Sequence, residues 1–184
     1  MTSNQTQLRD LLHRIARLVV SEGWEEDLNP TQRAALRYLA RANRFSRAPS
    51  HVADYLSATR GTVSQTLKAL SRKGLIKEFP SETDRRSISY EPTPEGLMRA
   101  SADDSMTVVL SDLPDEDASD FVDHLSGFIS AMLAQRGNRT FGMCSSCLHH
   151  EKRDHDGYCK LLGVELAPEE RQQLCHEHRE VDAA

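Results

Sequence analysis

The chain has 184 residues, 38% of them hydrophobic, with a formal net charge of −5. That length bounds it to one domain with an appendage; no apolar run reaches the ~20 residues of a membrane-crossing helix, and the opening MTSNQTQLRD has no apolar secretory core. The expectation is a cytoplasmic protein that does not enter a membrane, with its cysteines kept reduced.

Residues 4–22 read as an amphipathic helix whose Leu8, Leu11, Leu12, Ile15, Leu18 and Val19 form a stripe wide enough for two partners, one of them another subunit. Gly23 to Asn29 is a connection holding the one tryptophan, Trp24. Pro30 opens a second helix with Ala34, Leu36, Leu39 and Ala40 inward. Arg33, Arg37, Arg41 and Arg44 lie mostly outward, a row that reads as a solvated face.

The stretch from Pro49 to Gly96 organises the chain. A short helix starts near Ser50, taken as its N-cap, with Val52, Ala53 and Leu56 on one apolar face. Ser57 and Ala58 make a turn, and Thr59 caps a second helix whose Val63, Leu67 and Leu70 point inward. The opposite face carries Arg60, Thr62, Ser64, Gln65, Lys68 and Arg72, donors and hydroxyls suited to phosphates and base edges. Gly74 stands where a left-handed residue would end that helix. Two strands follow, Leu75 to Phe79 and Ser87 to Tyr90, joined by a polar turn from Pro80 to Arg86 with Asp84, Arg85 and Arg86 at its tip. Thr93-Pro94 then reads as an N-cap followed by a proline at the first helical position.

Pro94 to about Leu113 reads as one helix, with Leu97, Met98, Met106, Val109 and Leu110 apolar. Asp115 to Gln135 reads as another, where Phe121, Val122, Leu125, Phe128, Ile129, Met132 and Leu133 recur at helical spacing. A core this small cannot cover all the long apolar stripes within one subunit, so a homodimer is expected. A two-fold dimer sets two recognition helices about one DNA turn apart, which implies a pseudo-palindromic operator.

These residues carry a resemblance. Thr59-Arg60-Gly61-Thr62-Val63-Ser64, Lys73-Gly74-Leu75-Ile76, Asp84-Arg85-Arg86-Ser87 and Thr93-Pro94-Glu95-Gly96 together resemble the MarR family of bacterial transcriptional regulators, over roughly Leu8 to Leu133. The resemblance implies a mainly α fold with a small β-wing, a winged helix-turn-helix flanked by N- and C-terminal dimerisation helices that interlock. It assigns DNA contact to the second helix and to the wing, where Arg86 enters the minor groove and Asp84 holds the wing. Pro92 departs from the leucine usual in the family, which bears on where the second strand ends. The charge division agrees: residues 1–100 carry 16 Lys and Arg against 11 Asp and Glu, whereas residues 101–184 carry 7 against 17. Net +5 thus lies with the DNA-reading part and net −10 beyond it, so DNA affinity should depend on salt.

All four cysteines follow residue 140: Cys144, Cys147, Cys159 and Cys175, spaced C-x2-C-x11-C-x15-C. Two thiolates three apart converge on one point, and two more reached through loops complete a four-thiolate metal site. The alternatives are four unconnected thiols, two disulfides, which the reducing compartment opposes, or a dithiol switch at Cys144 and Cys147, which leaves the other two idle. One pair and two singletons favour an iron–sulfur cluster, of 4Fe–4S type, with Zn2+ as the alternative. Five histidines crowd the segment; His176 or His178 could replace a cysteine, while His149, His150 and His155 read as exposed loop residues. Phe141, Tyr158, Leu161, Leu162, Val164 and Leu166 are expected to shield the site, and Pro168 to start a short helix carrying Cys175.

The chain therefore divides into 1–136, the winged helix-turn-helix and dimerisation helices with its DNA-reading part at 48–93, and 137–184, a cysteine-rich metal-binding module. The expected function is a sequence-specific DNA-binding transcriptional repressor whose affinity is set by the cysteine-bound centre, sensing redox state or iron. In that reading the module, following directly on the last long helix, alters the spacing of the recognition helices. The alternative is a MarR-like regulator answering to a small aromatic effector, with a structural zinc. An enzyme of thiol–disulfide exchange is the third reading; no active-site context supports it, and the chain is expected not to be an enzyme.

Overall fold

The structure, a computed structural model, describes residues 1–22, 27–80, 88–137, 140–153 and 156–180. Within these lie α1 (Ser3–Glu22), α2 (Pro30–Arg41), α3 (Pro49–Tyr55), α4 (Arg60–Arg72), the hairpin β1 (Ile76–Pro80) and β2 (Ile88–Pro92), α5 (Pro94–Ala100), α6 (Ser105–Ser111) and α7 (Asp115–Gln135). After α7 come short strands, with 3-10 turns between them: β3 (Gly142–Met143), β4 (His150–Arg153), β5 (Asp156–Cys159), β6 (Val164–Leu166) and β7 (Leu174–Cys175). No helix among the described residues is long and apolar enough to cross a membrane. Trp24 lies outside them.

The starts of the helices follow from capping chemistry. Asn29 accepts from the Gln32 backbone while the Gln32 side chain reaches back, a reciprocal box ahead of Pro30. Thr59 accepts from Thr62 N at α4, and Thr93 from Gly96 N at α5. Ser50 does not cap α3 as the sequence reading had it. Ala48 holds that place with no side-chain bond, because Pro49 takes the first helical position and draws Ser50 into the helix.

One core joins α2, α3, α4 and the hairpin, through Leu36, Leu39, Val52, Val63, Leu67, Leu70 and Ile76. On α2 the buried residues are Ala35, Leu36, Tyr38 and Leu39, so the inward face is turned from the one expected and Ala34 and Ala40 are only half-buried. Tyr38 decides this rotation. Its ring enters the core and its hydroxyl donates to Ser46 O at 2.6 Å, which satisfies the polar end of a large buried aromatic.

The hairpin is antiparallel, with Ile76 opposite Pro92 and Pro80 opposite Ile88. The second strand therefore runs to Pro92, two residues past the expected end, because a proline at a strand terminus gives up no needed ladder donor. Two glycines shape its base. Gly74 has φ +71, the left-handed turn that closes α4. At Gly96 a Cβ would stand 2.0 Å from Leu75 O, so only glycine lets α5 lie against the start of the hairpin.

The single helix expected from Pro94 to Leu113 is two. The α5 helix stops at Ala100, and α6 begins after Asp104, whose carboxylate accepts from Thr107 N and pairs with Arg37 at 2.6 Å. An aspartate that can cap a new turn and meet an arginine outcompetes continuation of the helix. The α7 helix has the expected bounds. Within one chain it has no buried residues, and Phe121, Val122, Leu125, Phe128, Ile129 and Met132 are all exposed.

Candidate nucleic-acid interface and cysteine site

On α4 the burial alternates as a helix packed on one side requires. Val63, Thr66, Leu67 and Leu70 are buried, while Arg60, Thr62, Ser64, Gln65, Lys68 and Arg72 are exposed together with the capping Thr59. Three of the seven outward groups are engaged locally: the hydroxyls of Thr59 and Thr62 lie 2.9 Å apart, and Arg72 Nε donates to Lys68 O at 3.4 Å. Arg60, Ser64, Gln65 and Lys68 present polar and cationic ends to solvent along one face, the disposition a groove-reading helix needs. Beside it the hairpin is braced from the lobe, since Tyr90 N donates to Arg47 O at 3.1 Å and Arg47 Nη1 lies 3.8 Å from Glu91 Oε1. Asp84, Arg85 and Arg86 fall outside the described residues.

The cysteine segment is held by short strands and turns. A 3-10 turn at Cys144–Ser146 follows β3, and Cys147 N donates back to Cys144 O at 3.1 Å. Cys159 ends β5 opposite His150, and Gly163 N donates to Cys159 O at 2.8 Å. Cys175 lies on β7, paired with Gly142 of β3. The short helix expected to carry it is instead a 3-10 turn, Pro168–Gln172, that ends before it, held by Glu170 pairing with Arg44 at 3.1 Å.

All four cysteines, with Leu161, Leu166, His149, His150 and Glu177, line one small pocket. The four thiols are free, and three are buried, with Cys159 half-buried. Cys144 Sγ accepts from Asn43 Nδ2 at 3.4 Å, and Cys147 Sγ from Arg179 N at 3.5 Å. Hydrogen bonding to Cys175 and then burial push the Cys144 thiol up. Cys175, bonded by Cys144 and also by Asn43 and Ser46, is drawn down toward thiolate. Among the described residues no three His, Cys, Asp or Glu side chains stand in single-ion geometry.

The histidines are placed otherwise than their sequence context indicated. His149 and His150 are half-buried at the cysteine pocket, each with a buried Nε2 that has no hydrogen-bond partner among the described residues. His176 turns away from the cysteines: its ring stacks on His51 of α3 at 3.8 Å, and its Nε2 lies 3.2 Å from Asp54 Oδ2. Burial, then the neighbouring His176, push His51 down to about 4, so the His51 ring is uncharged at neutral pH. His178 lies beside Ser146, 3.2 Å from its hydroxyl. Of the expected apolar shell, Leu166 and Val164 pack with Cys144 and Cys175, joined by Phe45 from the α2–α3 connection. Phe141 packs instead edge-on to Tyr38 and Tyr55, and Tyr158 lies under the Arg153 guanidinium.

The cysteine segment thus meets the winged-helix lobe directly, at the connection between α2 and α3. Ala42 bridges Leu174, Asn43 N donates to Leu174 O at 2.9 Å, and His176 N donates to Ser46 Oγ at 2.9 Å. Asn43, Ser46 and His51 were not singled out from the sequence. Their partners lie more than 100 residues away, and no local pattern announces them.

Residues 26–87 match the model of the MarR family. In fold the chain is similar to Staphylococcus aureus MepR in complex with DNA, at 22% identity over 72% of this chain and 99% of MepR, TM-score 0.52. It is similar to the same protein in a DNA-binding conformation, at 22% identity over 71% and 99%, TM-score 0.57. A third likeness is to MepR described as a transcription regulator of the multidrug efflux pump MepA, at 22% identity over 72% and 99%, TM-score 0.51. At such identity the likeness establishes the fold, a MarR-like winged helix. No curated protein matches the chain.

Proposed function

We propose that this winged-helix chain is a dimeric, sequence-specific DNA-binding repressor whose operator affinity is set by a metal centre on Cys144, Cys147, Cys159 and Cys175. The observation that carries the DNA reading is the exposed row Arg60, Ser64, Gln65 and Lys68 on a capped helix whose other face is wholly buried beside a hairpin. Arg60 and Lys68 supply phosphate charge, and Ser64 and Gln65 reach base edges. The wing tip, with Asp84, Arg85 and Arg86, adds the minor-groove contact that the MarR resemblance implies.

The donor set fits a thiophilic group. Four thiols, two at one 3-10 turn and one each on β5 and β7, share one small pocket, and two of the sulfurs already receive N–H bonds of the kind that stabilise bound thiolates. An iron–sulfur cluster would supply a response to oxygen, iron or redox state, and zinc would supply a fixed cross-link. The visible spectrum of anaerobically purified protein, with iron, sulfide and zinc quantified, separates the two.

The DNA reading is tested by mobility shift against duplexes selected from a random pool. Replacing Arg60 and Lys68 together by alanine should weaken binding about 10- to 100-fold and lower the salt slope by about two. Unchanged affinity and slope would sink it.

A second reading rests on a cleft between α2 and the α5–α6 connection, lined by Arg37, Tyr38, Tyr55, Leu97 and Met98. Its walls also carry Arg41 and Asp103, and with Arg37 paired to Asp104 it is Arg41 beside the apolar lining that suits a small aromatic acid as effector.

A further inference from the structure

At the junction of the two parts one side chain stands out by burial and by what it touches. Asn43 is 1% exposed and follows the last turn of α2. Its backbone N–H donates to Leu174 O, one residue before Cys175, and its side-chain amide donates to Cys144 Sγ at 3.4 Å. Its Oδ1 is buried with no hydrogen-bond partner among the described residues. The amide is therefore committed to the cysteine sulfurs, Cys144 at 3.4 Å and Cys175 beside it, at the cost of an unsatisfied oxygen. Three residues on, Ser46 accepts from His176 N through its hydroxyl and from Tyr38 through its carbonyl. His176 in turn stacks on His51 and meets Asp54, both on α3, against which α4 packs.

We propose that Asn43 is the positioning residue that couples the cysteine site to the DNA-reading helices. This rests on the metal reading above. The physical basis is a difference between two states of one sulfur. A thiolate held by a metal accepts the Asn43 N–H as a charge-assisted bond, whereas a neutral thiol accepts it weakly. Only such a differential interaction lets one site bias the other. With metal bound, Asn43 fixes the end of α2 to the cysteine strands, and Ser46 and His176 carry that restraint to α3. With metal lost, the bond weakens and the corner is released. The route thus runs through the α2–α3 connection, not through α7 as the chain order had indicated.

Coupling of this kind is reciprocal. The factor by which metal changes DNA affinity equals the factor by which DNA changes metal affinity. The test uses the full chain, Co2+ as the probe metal because its thiolate charge-transfer bands report binding directly, and a duplex selected by the wild-type protein. DNA affinity is measured with and without Co2+, and Co2+ affinity with and without duplex. Wild type should give the same factor both ways, about 10-fold or more within the usual range. Asn43→Ala, and the near-isosteric Asn43→Asp that guards against a collapsed corner, should still bind both ligands with the factor reduced to within about twofold, and with shifted charge-transfer bands. A wild-type factor that persists in both variants overturns the role of Asn43 and leaves the metal reading standing. No factor in wild type, or no thiolate bands at all, overturns the metal reading and with it this inference.

Discussion

At the scale of single residues, charge decides where the chain turns. Asp104 caps α6 through Thr107 N and Oγ1, both at 2.8 Å, and pairs with Arg37. The backbone bond from Thr107, then the Arg37 guanidinium, hold its carboxyl down at about 2, against an ordinary 3.8. A carboxylate with a lowered native pKa contributes stability that is present above 3.8 and fades as pH falls through about 2, where both folded and unfolded chains bind the proton. Asp104→Asn keeps a competent cap but removes the charge. The variant should melt below wild type at neutral pH, by a gap that stays flat above about pH 5 and closes toward about pH 2. A gap that persists undiminished in acid would assign the effect to shape instead of charge.

At the scale of elements, the base of the hairpin has the least tolerance. Gly96 brings α5 onto Leu75 O, with Leu36 Cδ1 3.4 Å from where a Cβ would stand. Gly96→Ala must displace backbone, since a carbonyl oxygen cannot rotate aside. The expected cost is about 3 kcal/mol, at the upper end for overpacking, read as a lower midpoint in urea with unchanged m-value. Gly74→Ala, strained only through its φ of +71, should cost about 1 kcal/mol. Equal costs at the two positions would deny that close approach governs Gly96. Elements with a local signature were legible in sequence: the start of α2 at Pro30, the Thr93 cap ahead of a proline, the Thr59 cap, the outward face of α4 and the extent of α7. The α2 face was misjudged because Tyr38 counted as neither core nor surface until its hydroxyl had a partner. The break before α6 was missed because apolar spacing continues across it while the capping carboxylate interrupts the backbone. The clustering of the four cysteines was legible, but the segment's attachment through Asn43, Ser46 and His51 depends on contacts across more than 100 residues that no periodicity encodes.

At the scale of the whole molecule, the two longest helices are unfinished as they stand in one chain. Leu8, Leu11, Ile15, Leu18 and Val19 on α1, and Phe121, Val122, Leu125, Phe128, Ile129 and Met132 on α7, are all exposed. The DNA-reading lobe by contrast has a closed core of its own. An exposed apolar surface of this extent marks an interface, and closing it with a second copy about a two-fold axis leaves no further face to propagate. In the proposed dimer α1 and α7 form the subunit contact and leave the central lobe open to DNA. Phe121→Glu combined with Phe128→Glu should therefore turn a dimer into a monomer in sedimentation at micromolar concentration and leave the lobe folded, with its helical signal in circular dichroism largely kept. DNA binding should then fall to that of a single half-site, with the loss of the affinity gained from two linked recognition helices, commonly 100-fold or more, so ~100-fold here. A double variant that stays dimeric would place the subunit contact elsewhere. A monomer that binds the full operator as tightly as wild type would deny that the two recognition helices act together, and with it the pseudo-palindrome they imply.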